Sequence, residues 1–208
     1  MTDEIYTKEY FEKIQTEESL QAFRLERILY DLYKPRSVID WGCANGLYLE
    51  PFMTEDGCEV LGIENSPVAI EMKHPDIRIL QFDMTKKTFI KVPPVLEDDP
   101  AAQIIGPDSK KYDMALCIEV LEHLEEKDAN TAIDNICRSS DRLVVSVARE
   151  WQTGPGHLNL KPIEYWIQKF GWQGFRVDNT ATLDVRERMG DGYHLGWITN
   201  NLLILEKV

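Results

Sequence analysis

The sequence predicts an α/β domain built on a mostly parallel sheet with helices on both faces, and three observations carry that prediction. Strand-like runs rich in Val, Ile and Leu recur along the chain, helical patterns alternate with them, and the runs are nearly continuous in apolarity, as strands buried on both faces require. At 208 residues, with no repeat, low-complexity tract or linker, residues 1–208 are expected to form one domain.

Taken in order, residues 5–14 and 19–33 place apolar side chains at helical spacing, with Ser19 as N-cap of the second, so two helices precede the first strand. Strands are expected at 37–41, 58–64, 77–82, 112–118 and 142–148. Helices are expected at 46–53, 66–73 and 128–140. In the second of these, Ser66 is the N-cap and Pro67 occupies the first helical position. A helix over 162–172 ends at Gly171, and residues 174–183 and 202–208 read as two final strands forming an antiparallel edge. Residues 84–111 break the alternation. They carry four prolines and little periodicity, and read as an insertion, either a solvated loop or a flap.

Composition narrows the function. A net charge of −13 opposes phosphate-rich surfaces, so nucleic acid and anionic membranes are disfavoured partners. No apolar run approaches a membrane span, and the start MTDEIY lacks the basic and apolar regions of a signal peptide; a cytoplasmic location is expected. Cys43, Cys58, Cys117 and Cys137 are scattered without a CxxC pair, which suits reduced packing cysteines better than disulfides or zinc.

The chemistry concentrates in VIDWGCANG, residues 38–46, where a buried strand runs into a glycine turn with the pattern Asp-x-Gly-x-x-x-Gly. Such turns bind nucleotides at the top of a parallel sheet. The dinucleotide fingerprint G-x-G-x-x-G cradles a pyrophosphate; Asp40 would repel one, which sets a nicotinamide enzyme aside, and would attract an ammonium. Glu64 ends VLGIE, 24 positions after Asp40, where a carboxylate accepts from both ribose hydroxyls. Asp83 closes ILQFD and can accept from an exocyclic amine such as that of adenine. Each residue alone could be a helix cap, a solvated strand end or turn chemistry. Three acidic strand ends in order point to a ligand with an ammonium, a ribose diol and an adenine but no phosphate: S-adenosylmethionine.

On these motifs, and on YDMALCIEVLEHL for the fourth strand and the helix after it, the sequence resembles the class I S-adenosylmethionine-dependent methyltransferases from about Ser37 to Ala148, with the final strands also in family order. The resemblance implies a Rossmann-like three-layer sandwich whose mostly parallel seven-stranded sheet has an antiparallel last strand. It implies that Asp40, Gly42, Cys43, Ala44 and Gly46 line the methionine moiety and turn. Glu64 with Asn65 would hold the ribose, Asp83 and Met84 would border the adenine, and Glu119 would stand beside the methionine end. Ala44 departs from the glycine common at that place. Residues 1–36 would form a helical lid over the cofactor, with Tyr6, Tyr10, Phe11 and Arg24 as contacts and Arg24 pairing with the cofactor carboxylate.

Methyl transfer from an activated sulfonium needs alignment above all, so no metal ligands are expected, and a base is needed only where the acceptor must lose a proton. His157, in the GHLN stretch after the fifth strand, is the first candidate; similar GHxN stretches occur in some small-molecule members of the class. His123, four residues after Glu119 and expected on the same helix face, is the second. His194 in GDGYHLGW comes third, and His74 reads as a surface residue. The expected reaction is methylation of an oxygen or nitrogen of a small-molecule or sugar-like acceptor. The alternatives are a nucleic-acid or protein methyltransferase, or an inactive cofactor-binding regulatory subunit. Amino-directed DNA enzymes carry Asp/Asn-Pro-Pro-aromatic after the fourth strand; here that place reads IEVLEH.

Overall fold

Strand β1 (Ser37–Trp41) is buried along its whole length and pairs in parallel with β2 (Glu59–Glu64) on one side and β4 (Met114–Ile118) on the other. In this computed structural model, which describes residues 5–55, 57–87, 111–190 and 196–208, β3 (Ile79–Gln81), β5 (Arg142–Ser146), β6 (Phe175–Val177) and β7 (Leu203–Lys207) complete a seven-stranded sheet. The order is β3-β2-β1-β4-β5-β7-β6, with β7 antiparallel to both neighbours. The expected fold class is therefore observed.

Side chains alternate across the sheet, as the pleat requires. Ile39, Trp41, Leu61 and Ile63 join one apolar layer with α4 (Ala129–Ser139) and α5 (Ile163–Trp172). Val38, Leu116 and Ile204 join the other with α1 (Lys8–Tyr33), α2 (Glu50–Met53), α6 (Asn179–Met189) and α7 (Gly196–Asn201). Trp41 is fully enclosed and donates from Nε1 to Ser139 Oγ at 3.0 Å, which satisfies the one polar atom it buries.

Four local expectations are corrected. The two N-terminal helices are one: α1 is capped by Thr7 and ends at Tyr33 with Lys34 as its C-cap, and its polar middle contains no Gly or Pro. Ser19 is not an N-cap; its hydroxyl bonds back to the Gln15 carbonyl, as Thr16 does to Glu12 at 2.8 Å. Residues 174–183 are not one strand. After three residues of β6, Asp178 Oδ1 accepts from Ala181 N at 2.9 Å and starts α6. Gly171 lies inside the last turn of α5, which runs on to Trp172. Of the expected insertion at 84–111, residues 88–110 lie outside the described residues. α3 (Pro67–Glu71) does start as expected, with Ser66 Oγ accepting from Ala69 N.

Buried Asn135 ties the segment after β3 to α4, donating from Nδ2 to the carbonyls of Met84 at 2.9 Å and Lys86 at 2.8 Å. Asn135→Ala leaves two carbonyls without those donors and is expected to destabilise the protein by about 1–3 kcal/mol, read by urea denaturation.

Candidate active site

The strand order reverses between β1 and β4, and a cavity of about 1030 Å³ opens at the carboxyl ends of the strands around that point. The chain after β1 turns sharply. Gly42, at φ +77, and Cys43 both donate their N–H groups to the Ile63 carbonyl, at 2.8 and 3.1 Å. Ala44 holds a left-handed φ of +50 and donates to Glu64 Oε2 at 2.9 Å. Glu64 Oε1 accepts from the Asn65 and Ser66 amides, each at 2.7 Å, so one carboxylate knits the turns after β1 and β2 together.

Asp40 and Glu18 are two cavity-lining carboxyls pushed far from their ordinary range. Burial, reinforced by Glu64, pushes the Asp40 carboxyl up to about 7. Burial also raises Glu18 to about 7, although Tyr48 Oη donates to it at 2.9 Å. Seven carboxyl side chains line the cavity, from Glu18, Asp40, Glu64, Asp83, Glu119, Glu125 and Asp128, and no Lys or Arg does among the described residues. Such a chamber suits a cationic ligand.

At the other end, β4 leads into Glu119, which has a left-handed φ of +52 and donates its N–H to Ser146 O at 3.0 Å. A short 3-10 turn (Leu121–His123) comes next. His123 and His157 meet edge to face with ring centroids 4.8 Å apart. His123 Nδ1 lies 2.9 Å from Tyr6 Oη, and burial, then His157, lower its pKa to about 4, so the ring is neutral. His157 Nδ1 lies 2.7 Å from the Gln152 carbonyl. The glycine loop makes this contact possible: a Cβ at Gly156, φ +76, would sit 2.6 Å from Tyr6 Oη and 3.0 Å from His123 Nδ1.

A family model for the methyltransferase domain matches residues 10–180, most of the chain. The protein is an S-adenosylmethionine-dependent methyltransferase. No curated protein matches its sequence. Among solved structures, the methyltransferase is similar to an S-adenosylmethionine-dependent methyltransferase from Archaeoglobus fulgidus, at 16% identity and a TM-score of 0.61, over 95% of this chain and 99% of that one. A TehB-like methyltransferase from Corynebacterium glutamicum matches at 14% identity and a TM-score of 0.64, over 96% and 97%. The amino pentose methyltransferase CalS10 from Micromonospora echinaspora matches at 14% identity and a TM-score of 0.60, over 93% and 92%.

The methyltransferase brings most of the expected site residues to one cavity: Tyr10, Asp40, Gly42, Cys43, Ala44, Glu64, Asn65, Asp83, Met84, Glu119, His123 and His157 all line it. Two do not. Gly46, φ +88, shapes the turn behind the wall, where a Cβ would sit 3.0 Å from Ile77. Arg24 is exposed beside Gly190, because on a continuous helix it points about 240° round from Glu18. The expected pairing of Arg24 with the cofactor carboxylate would need that side chain to reach into the cavity from outside its lining. His123 does face the cavity, but not through a helix shared with Glu119. His194 lies outside the described residues.

Asp83 is held in turn chemistry: although burial pushes its carboxyl up, hydrogen bonds from Thr85 N and Oγ1, at 2.9 and 2.6 Å, and the nearby Lys86 hold it low. Glu18, Tyr48, Glu122 and Gln152 were not anticipated. The one signal for Glu18 is its register, seven residues after Phe11 and four after Ile14 on the inward stripe of α1.

Proposed function

We propose that this methyltransferase modifies an oxygen or nitrogen of a small, non-phosphorylated acceptor, a sugar-like metabolite being the favoured class. The observation that carries the reading is the cavity itself, which is concave, lined by seven carboxyls with no Lys or Arg among the described residues, and ends at the neutral His123 and at His157. Phosphate-bearing acceptors meet repulsion throughout it. The amino pentose activity named for the similar CalS10 fold supports the sugar-like class.

S-adenosylmethionine supplies a methyl group already activated on a sulfonium. In this reading Asp40 and Glu18 hold its ammonium, Glu64 and Asn65 face the ribose, and Asp83 and Met84 border the adenine. Glu119 stands by the methionine end. α1 covers the site as a lid through Tyr10, Phe11 and Ile14, which line it. Tyr6 and Gln152 orient the two histidines toward the acceptor, where they bind it or take its proton. Residues 1–208 act as one domain, with 84–111 an insertion; four free cysteines accord with a cytoplasmic setting, and no helix among the described residues is long and apolar enough to cross a membrane.

The test is incubation of the purified protein with labelled cofactor and a small-metabolite extract, followed by mass spectrometry. A methylated metabolite is expected, its formation lowered roughly 100-fold or more by His157→Ala while affinity for S-adenosylhomocysteine stays within about threefold. Cofactor binding with no metabolite turned over, or turnover of nucleic acid or protein instead, would overturn the reading.

A further inference from the structure

We propose that Glu122, His123 and His157 form a binding site for one divalent transition-metal cation at the acceptor end of the cavity. One donor atom from each lies within 4.8 Å of the others. Around a cation with bonds of about 2.1 Å, neighbouring ligand atoms sit about 3.0–3.4 Å apart, so side-chain adjustments of about 1–2 Å close the set.

The backbone already holds the three together. The Glu122 carbonyl accepts from Leu158 N at 2.8 Å and Asn159 N at 2.9 Å, which clamps the His157 loop onto the turn that carries His123. Glu122 itself is fully enclosed. Its Oε1 accepts from Ala148 N at 3.0 Å, while its Oε2 is buried with no N–H or hydroxyl donor, the Glu119 carboxyl being the neighbouring group. Two adjoining buried carboxyls must share a proton or take up a cation, and a cation would also draw in the two imidazoles beside them. No Lys or Arg among the described residues lines the cavity beside them.

The histidines suit the role as well. The Gln152 carbonyl, which can only accept, receives a hydrogen bond from His157 Nδ1 and leaves Nε2 as the nitrogen that can meet a cation, while Tyr6 Oη occupies Nδ1 of His123. Metal-binding imidazoles are oriented in this way by an outer partner on the second nitrogen. Two imidazoles and one carboxylate select Mn²⁺, Fe²⁺, Co²⁺ or Zn²⁺ over Ca²⁺ or Mg²⁺ and leave positions open for an acceptor hydroxyl. Its catalytic consequence rests on the proposed function: a bound cation would acidify that hydroxyl, with both histidines committed as ligands and not as bases.

The experiment titrates Mn²⁺, followed by loss of the free-ion electron paramagnetic resonance signal, into chelator-treated full-length protein and into Glu122→Gln and His157→Ala. Glu122→Gln keeps an acceptor for Ala148 N, and S-adenosylhomocysteine binding by each variant reports an intact fold. One equivalent of Mn²⁺ bound by the wild type, weakened roughly 10- to 100-fold in both variants, is expected. No saturable binding, or binding equally strong in the variants and so owed to the acidic surface, overturns the proposal. Metal failure with cofactor binding and metabolite turnover intact leaves the proposed function standing; loss of turnover despite metal binding removes the latter alone.

Discussion

Gly42→Ala is expected to weaken binding of S-adenosylmethionine by at least about 100-fold, because two costs fall together at the centre of the turn after β1 that we propose holds the cofactor. The residue holds φ +77, which a side chain tolerates only at about 1–2 kcal/mol. The added Cβ would also lie 2.7 Å from both γ-methyls of Val120, nearer than real side chains approach, so something must move. Val120 lines the cavity immediately after Glu119, itself held at φ +52, while Gly42 is pinned to the Ile63 carbonyl at 2.8 Å. Displacing either side distorts the place where the turns after β1 and β4 face one another. Gly57→Ala is the control. Gly57 has φ +76 with nothing near the position of its Cβ, so it bears the backbone cost alone and should leave cofactor affinity within about twofold. Calorimetric titration of both variants, with urea denaturation alongside, separates strain from collision. Equal losses of affinity in the two would show that the contact with Val120 is immaterial.

The contrast between Gly42 and Glu18 explains what was legible in the sequence and what was not. Strand ends announce themselves: an apolar run stops, the next residue is acidic or glycine, and the sheet carries each to the same edge, so Asp40, Glu64, Asp83 and Glu119 are located by topology alone. Residues that reach the cavity from elsewhere need a register. Gln15 to Glu18 read as a polar break between two helices, yet the chain there has good helix formers and hydroxyls that bond four residues back, and packing against α2 and α6 carries the helix through. Once α1 is continuous, Glu18 falls inward and Arg24 outward; the same error of phase hid one and misplaced the other. Glu122 was missed for a different reason. Its carboxyl is wholly buried beneath the loop after β5, a long-range contact that no local pattern encodes, and only its backbone carbonyl's grip on Leu158 and Asn159 reveals it.

Asp40→Asn is expected to make the cofactor-free protein more stable at pH 8 while weakening cofactor binding at least tenfold. Burial, then Glu64, move the Asp40 carboxyl from 3.8 to about 7. Between those two values the native state keeps a proton that the unfolded chain has released, so the stability of the wild type falls as pH rises through that window and levels off above about 7. The full shift corresponds to on the order of 4 kcal/mol, and Glu18, raised from 4.5 to about 7, slopes in the same direction. Asparagine abolishes the ionisation, so the variant's stability should lose much of its decline with pH and exceed the wild type by on the order of 2–4 kcal/mol at pH 8. The strain has a use if an ammonium is to sit there. A cationic ligand binds the ionised form of Asp40, so wild-type affinity should rise with pH up to about 7, by at most about tenfold per pH unit for one linked proton, and the variant should bind weakly and with a flatter profile. Thermal denaturation and calorimetric titration from pH 5 to about 8 measure both halves. A variant that gains no stability, or that binds the cofactor with the wild-type affinity and pH profile, would remove Asp40 from the ammonium site and leave Glu18 to hold it.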